Sequence, residues 1–462
     1  MNCYGCLTLA NGHSRWGMRS LLMRSPIAIA AAWIGAYILI VLSPLLILLL
    51  HPPPSGREFW LDFSVALGFI GLAMMVLQFA LTARIRTIEA AYGIDIILQF
   101  HRYTSIVAFL LILVHPIILF VNDPETLQLL NFFEAPWRAR AAVIATLALT
   151  LLIMTAIWRE KLRIPYEPWR IWHGIFAVTA VGLGLAHAFG VGNYLSLFWQ
   201  GVLWVLFGLV ALWLLIFVRL VKPWQMTQHP YLVEEVVPER GNVWTLVLRP
   251  RGHDGLSFQS GQFSWITLRI SPFRMREHPF SMASSAENLD CLEFGIKSVG
   301  DFTRGIKDAE PGTVAYLDGP YGVFTIDRYW DSAGFVMIAG GIGITPMMSM
   351  LRTAADRKDD RPLLLIYASR SWEDITYRED LEVLKDKLDL TIVHVLRNAP
   401  EDWPGETGYV DHALLERYIP NHRGSRHYFI CAVPKMMDQV ERALHDLDVP
   451  VDHVHMEHYN LV

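Results

Sequence analysis

The sequence predicts a multidomain membrane protein: a six-helix α-helical transmembrane bundle, then an antiparallel β-barrel domain, then an α/β Rossmann-like nucleotide domain. Three observations predict this. Six apolar runs crowd into the first 224 of 462 residues, short alternating segments follow Trp224, and from about residue 333 an apolar strand, a glycine turn and a helix succeed one another. Charge divides along the same line. Residues 1–224 carry 15 Lys and Arg against 9 Asp and Glu, the remainder 24 against 35, so the two halves live in different solvents.

A bilayer-spanning helix needs about 20 apolar residues, and runs of that length lie near 27–50, 60–82, 101–121, 139–158, 171–191 and 197–218. The expected division is a tail at 1–26, the bundle at 27–224, the barrel at 225–330 and the nucleotide domain at 331–462. Arg15, Arg19, Arg24, Arg84, Arg86, Arg159, Lys161, Arg163, Arg170, Arg219 and Lys222 fall at one set of helix ends. Only Arg57, Arg138 and Arg140 fall near the other. The positive-inside rule therefore puts both termini in the cytoplasm. The first run is too long for the apolar part of a cleavable signal, and five more spans follow it. Cys3 and Cys6 form a CxxC in the tail, weak evidence for metal or redox chemistry without a second pair. Cys291 and Cys431 lie far apart in a reducing compartment, so no structural disulfide is expected.

His101 and His115 fall in the third span, His173 and His187 in the fifth, and both pairs have the same spacing. Ionisable groups in hydrocarbon cost roughly 2.5–3.5 kcal/mol and need partners. Fourteen residues advance about 21 Å along a helix and return to within about 40° of the same face. If the two spans are parallel neighbours, the four imidazoles meet as two pairs, one near each side of the bilayer. A neutral imidazole pair holds a haem iron from both faces, and two haems make an electron path across the membrane. Gly174, Gly182 and Gly184 leave room for a flat macrocycle, although small residues also serve close helix packing. Zinc on these groups is disfavoured: no carboxylate or cysteine cluster lies beside them, and ligands about 21 Å apart share no ion.

Beyond Trp224, alternating segments such as Tyr231–Val237 and Val243–Leu248 suggest a small antiparallel barrel. From Phe335 the order is strand, turn, a helix through Arg352 and a second strand at Leu363–Ala368, a parallel α/β pattern. The turn reads Gly340, Gly341, Ile342, Gly343, Ile344, Thr345, Pro346. Glycines admit a pyrophosphate close to the backbone, and the helix start offers free N–H groups, which makes this the expected dinucleotide site. Upstream, Arg276, His278, Pro279, Phe280 and Ser281 form a compact cluster, with GIKSVGDFT at 295–303. Cationic and hydroxyl groups suit phosphate oxygens and an aromatic suits a flat ring, although physics alone leaves this an unspecific anion site.

Taken together, from about residue 60 onward, these motifs and their order resemble the ferric reductase and NADPH oxidase superfamily, a di-haem transmembrane domain fused to a ferredoxin-NADP reductase-like module. The resemblance implies two b-type haems on His101, His115, His173 and His187. It implies FAD on His278, Pro279, Phe280 and Ser281, with Gly300, Asp301, Phe302 and Thr303 at its pyrophosphate. Asp318 to Gly322 is similar to the stretch that ends the flavin barrel. The resemblance also implies NADPH, with NADH as an alternative, on Gly340, Gly341, Gly343, Thr345 and Pro346, with Ser369 and Arg370 at the adenosine end. The family's cysteine, glycine, proline segment near the nicotinamide stands here as Cys431-Ala432-Val433-Pro434, which puts close approach at residue 432 in question. Tyr459, after Glu457 and His458, is the expected ring over the isoalloxazine; a tail residue packed on the barrel is the plain alternative. Cys431 and Tyr459 are thus the candidate catalytic residues.

The expected activity moves electrons from cytoplasmic NADPH through FAD and the haems to an extracytoplasmic acceptor, dioxygen giving superoxide or ferric iron. Arg102, Arg138 and Arg140 either meet haem propionates or an anionic acceptor, or simply anchor the interface. A quinone or a separate protein as acceptor is a second enzyme reading. A histidine-based proton transporter with a nucleotide-sensing domain is a reading of another class. The expected setting is the cell membrane, multi-pass, with membrane lipid and a small-molecule or ionic acceptor as partners and no nucleic acid. No EF-hand loop pattern occurs, so no built-in calcium switch is expected.

Overall fold

The computed structural model describes residues 26–50 and 58–458. The tail with Cys3 and Cys6, Arg57 and Tyr459 lie outside them. The bundle comprises α1 (Pro26–Leu50), α2 (Phe59–Thr82), the short α3 (Arg86–Tyr92), α4 (Ile94–Asn122), α5 (Trp137–Trp158), α6 (Tyr166–Val191), α7 (Phe198–Ile216) and α8 (Lys222–Gln228). A π-turn, Phe217–Val221, joins α7 to α8 and makes one apolar span of Phe198–Gln228. Among the described residues, six helices are thus long and apolar enough to cross a membrane. Exposed aromatics ring both ends, Phe59, Trp60, Phe133, Trp137, Phe198 and Trp199 at one, Trp158, Trp172 and Trp224 at the other, as expected of side chains that favour the lipid–water boundary.

Three helix starts differ from the apolar runs. α4 begins at Ile94 rather than 101, α6 at Tyr166 rather than 171 and α5 at Trp137 rather than 139. The polar residues Asp95, Gln99 and Arg102 dilute hydropathy without breaking the helix, and Gly93, at φ +83, sets its true start. The consequence matters for function. His101 and His173 each lie seven residues inside their helices, about 10 Å from the ends. α2 packs closely along α4 and α5 along α6, whereas α4 and α6 touch little directly and face each other mainly through their histidines.

The second module is an antiparallel sheet of β1 (Tyr231–Glu239), β2 (Val243–Pro250), β3 (Phe263–Leu268), β4 (His278–Ser281), β5 (Leu292–Lys297) and β6 (Val314–Tyr321), in the order β4-β3-β6-β1-β2-β5. A bridge from Met282 to Phe294 links the two edges and closes the sheet around Leu246, Leu248, Ile266, Phe294 and Ile296. One turn of helix, α9 (Asp301–Arg304), caps one end.

The third module has six parallel strands: β7 (Phe335–Gly340), β8 (Leu363–Ser369), β9 (Leu390–Leu396), β10 (Glu406–Thr407), β11 (His427–Cys431) and β12 (Val454–Met456), in the order β10-β9-β8-β7-β11-β12. Helices α10 (Ile344–Arg357) and α11 (Arg378–Lys385) cover one face, and α12 (His412–Tyr418) and α13 (Pro434–Asp446) the other. Strands buried on both faces read as continuous apolar runs, which is why Phe335–Ala339 and Leu363–Tyr367 are fully buried. The order reverses between β7 and β11, so a crevice opens at the carboxyl ends of those two strands.

Candidate functional site

The membrane histidines form two levels. His101 and His173 face each other with ring centres 6.4 Å apart and planes inclined at 58°. A metal held by opposed imidazoles at about 2 Å from each nitrogen separates the ring centres by roughly 6 Å, so this spacing fits one. Both Nδ1 atoms are buried without a hydrogen-bond partner. At the other level the Ser64 hydroxyl donates to the His115 carbonyl at 3.1 Å, so the Nδ1–H of His115 faces the Ser64 hydroxyl oxygen at 2.7 Å and donates to the Ser64 carbonyl at 3.0 Å, and that of His187 donates to the Arg138 carbonyl at 2.9 Å. A carbonyl only accepts, so it fixes the Nδ1–H tautomer and leaves Nε2 with its lone pair free to bind a metal. Among the described residues no group of three or more His, Cys, Asp or Glu converges, so each level offers two protein ligands. Two imidazoles at each level are the protein ligands that a bis-histidine haem would need, whereas a four-coordinate zinc site would need two more.

The glycines near these histidines differ in role. A methyl group at Gly182 would meet nothing within 4 Å, one at Gly184 would lie 3.0 Å from Leu72, and one at Gly174 would lie 3.1 Å from the Arg219 guanidinium. Only Gly182 leaves open space; Gly184 serves helix packing. A methyl group at Gly190 would clash with Trp137 at 2.5 Å, so glycine there lets the start of α5 reach α6 and set the Arg138 carbonyl over His187.

The reductase modules dock on the His101/His173 end of the bundle. Arg84 donates to Asp318 at 2.8 Å and to Glu277 at 2.5 Å, Arg170 donates to Glu277 at 2.7 Å, and Lys222 pairs with Asp318 at 2.9 Å. Arg86 bonds the Gly319 carbonyl, and the Gly322 N–H donates to Glu89 at 2.6 Å. Burial alone would raise the Glu277 carboxyl, but Arg84 and Arg170 hold it down at about 2. These contacts have a direct geometric effect. Glu277 precedes His278 in sequence, and Arg170 lies one turn before His173, so one ion pair ties β4 to the helix bearing a membrane histidine.

On the sheet, the ring of His278 stacks on Phe302 at 4.0 Å, and Phe280 stacks on the same ring at 6.0 Å. The two separated segments 278–281 and 300–303 thus meet as one aromatic and polar surface. Thr303 Oγ1 accepts from the Val299 and Gly300 N–H groups at 2.9 and 2.8 Å, which fixes the loop. The nucleotide module is held against this surface by α10: Arg352 bridges Glu293 and Asp380 at 2.6 Å each, and Ser349 donates to the Ser284 carbonyl at 2.8 Å.

The β7–β11 crevice is built from small residues. A methyl group at Gly343 would stand 1.8 Å from the Cys431 carbonyl, and one at Gly340 would stand 2.8 Å from the Ala432 methyl. Gly340 therefore supplies the room that residue 432 lacks. Gly341, at φ +55, would bear a methyl group facing nothing within 4 Å. Thr345 and Pro346 lie in the first turn of α10, and Thr345 donates to the Ile342 carbonyl at 2.9 Å. Ser369 ends β8 and Arg370 is exposed just beyond it, at the same carboxyl edge. The Cys431 thiol is buried and bonds the Glu457 carbonyl at 3.6 Å, so Cys431 holds the chain that leads toward residue 459. Glu457 lines a cavity of 190 Å³ with Asp95, Arg328 and His455, and burial, then Asp95 and Glu89, push its carboxyl up to about 8.

Three family models match successive parts of the chain: "Ferric reductase like transmembrane component" over residues 67–184, "FAD-binding domain" over 235–325 and "Oxidoreductase NAD-binding domain" over 337–442. The soluble part is 32% identical over 214 residues to Ferredoxin--NADP reductase B of Sorangium cellulosum, covering 44% of this chain and 86% of that protein. The chain belongs to the ferric reductase and NADPH oxidase superfamily. Its soluble part is also 30% identical over 207 residues to NADH-cytochrome b5 reductase 1 of Meyerozyma guilliermondii, covering 44% of this chain and 72% of that one. The cytochrome b5 reductase domain of Ulva prolifera nitrate reductase is similar in structure, with 18% identity, a TM-score of 0.44, and coverage of 50% of this chain and 98% of that one. This ferric reductase family member is a transmembrane, NAD(P)H-dependent FAD oxidoreductase.

The structure sets His101 opposite His173, brings His115 near His187, and gathers the flavin and nucleotide motifs on adjoining modules. Among the described residues no side-chain hydrogen bond joins Arg102 or Arg138 to either level, and Arg140 donates to the Ala135 carbonyl at 2.7 Å. Sequence reasoning missed the carbonyls of Ser64 and Arg138, and it missed the ion-pair web of Arg84, Arg170, Lys222, Glu277 and Asp318. The basic residues of that web were legible only as an orientation signal, because their acidic partners lie 100 or more residues away in most pairs.

Proposed function

We propose that this reductase carries electrons from cytoplasmic NADPH, through FAD and two b-type haems, to a small acceptor on the far side of the cell membrane, dioxygen or a ferric chelate. Bound in this chain, the flavin supplies hydride acceptance and single-electron release, and the two haems supply a relay across the bilayer. The observation that carries the reading is the pair of opposed histidine levels, with Nε2 left free at His115 and His187 and a ring spacing at His101 and His173 that suits a metal between them.

In this reading His101 and His173 hold the inner haem and His115 and His187 the outer one. His278, Phe280 and Ser281 orient the flavin, with Gly300 to Thr303 toward its pyrophosphate. The Arg170–Glu277 pair keeps that strand against the bundle, so flavin and inner haem stay at one separation. Gly340 to Pro346 seat the NADPH pyrophosphate at the start of α10, and Arg370 with Ser369 meet its adenosine phosphate. Tyr459 is the ring assigned to cover the flavin, as the motif order implies. The excess of Lys and Arg at the docking end supports a cytoplasmic setting for both reductase modules. The connections at 123–136 and 192–197 are short, which favours an acceptor that reaches the outer level from solvent.

The purified protein is expected to show paired bis-imidazole absorption on reduction, and His115→Ala to lose one haem and outward transfer while NADPH still reduces the flavin. A protein without haem bands contradicts this and favours the transporter reading. NADPH oxidation with and without oxygen and ferric citrate separates the acceptors: superoxide dismutase-sensitive cytochrome reduction marks dioxygen, and oxygen-independent turnover only with iron marks the ferric chelate.

A further inference from the structure

Four cations, Arg84, Arg170, Arg219 and Lys222, surround the two carboxylates Glu277 and Asp318 at the docking end of the bundle. Arg84 and Arg170 share one oxygen of Glu277, and Arg84 and Lys222 share one oxygen of Asp318, whose other oxygen accepts from the Tyr321 hydroxyl. Arg219 is the cation left over. Glu277 lies near enough to act on the Arg219 charge, but among the described residues no hydrogen bond joins the half-buried Arg219 side chain to a carboxylate, and its bond is to the Met275 sulfur, a weak acceptor. A half-buried guanidinium whose hydrogen bond goes to sulfur keeps strong N–H donors to spare for an anion.

Two further features say where that anion lies. Arg219 occupies the π-turn Phe217–Val221, the single departure from regular helix in the sixth span, and such turns re-aim side chains at functional sites. The side chain so aimed ends beside α6: a methyl group at Gly174 would stand 3.1 Å from its Nη2, and Gly174 directly follows His173. Glycine at 174 thus admits the guanidinium next to the inner histidine level.

We propose that Arg219 binds the carboxylate edge of the inner macrocycle, the propionate side of the haem held by His101 and His173. The inference rests on the di-haem reading. Arg219 is a positioning and tuning residue: its charge holds the macrocycle's rotation and favours the reduced state of the inner iron.

The test uses the full chain in detergent, as Arg219→Gln and Arg219→Lys, each also combined with His115→Ala so that only the inner haem remains. Redox titration followed by absorbance is expected to give a lower inner midpoint for Arg219→Gln and a near wild-type one for Arg219→Lys, with the outer midpoint unmoved. Loss of the inner haem from Arg219→Gln but not from Arg219→Lys supports the proposal equally. An unmoved inner midpoint in Arg219→Gln, as anchoring to a lipid phosphate would give, or equal shifts at both haems, overturns it. Wild-type protein without haem bands overturns the di-haem reading itself, a result distinct from intact bands with an unmoved midpoint.

Discussion

Glu277 shows how one side chain serves stability and geometry together. Its pKa, held at about 2 by Arg84 and Arg170 against the effect of burial, is depressed relative to an unfolded glutamate near 4.3. The stabilisation is therefore complete above about pH 4.3 and lost as pH falls toward 2. Glu277→Gln leaves Arg170 with the Met275 carbonyl but no carboxylate, and Arg84 with Asp318 as its one carboxylate, and is expected to cost about 3 kcal/mol. Thermal unfolding in detergent checks this: the wild type weakens below about pH 4, whereas Glu277→Gln starts lower at pH 7 and shows less of that acid limb. Arg370 is exposed, and in the proposed reading it contributes to binding alone. Removing a charged contact to the adenosine phosphate is expected to raise KM for NADPH about tenfold, roughly 1.4 kcal/mol, while KM for NADH stays unchanged. Equal effects on both nucleotides would place Arg370 outside the phosphate site.

Among the elements, the contact of α5 with α6 positions the outer histidine level. Gly190 allows Trp137 and Arg138 to close on α6, and the Arg138 carbonyl then fixes His187. Gly190→Leu is expected to push α5 away, free the His187 ring and halve the haem absorbance, with the inner haem retained. Haem content per chain, with the spectrum of the remaining band, checks it. Elements such as these were legible in part. Spans, the strand–turn–helix of β7 and α10, and the four histidines show in the sequence because apolar period and glycine placement are local. The early start of α4 was hidden because Asp95, Gln99 and Arg102 dilute its first turns. The sheet order, and the way Gly340 accommodates Ala432, were hidden because they join segments distant in sequence.

For the whole molecule, the docking of three modules decides what the local sites can do together. Arg84 and Arg170 clamp the sheet to the bundle, and Arg352 clamps the nucleotide module to the sheet, so the crevice, the flavin surface and the inner histidines form a fixed series. None of these clamps could be read from the chain, since each pairs residues brought together only by folding. The central claim is that this series ends in a path across the membrane through His101, His173, His115 and His187. Sealed vesicles containing the protein, with a membrane-impermeant ferric chelate or cytochrome c trapped inside and NADPH added outside, test it most directly. The account predicts reduction of the trapped acceptor by outward-facing reductase modules, abolished by His115→Ala while flavin reduction persists. Undiminished reduction in His115→Ala, or none in the wild type, would contradict it.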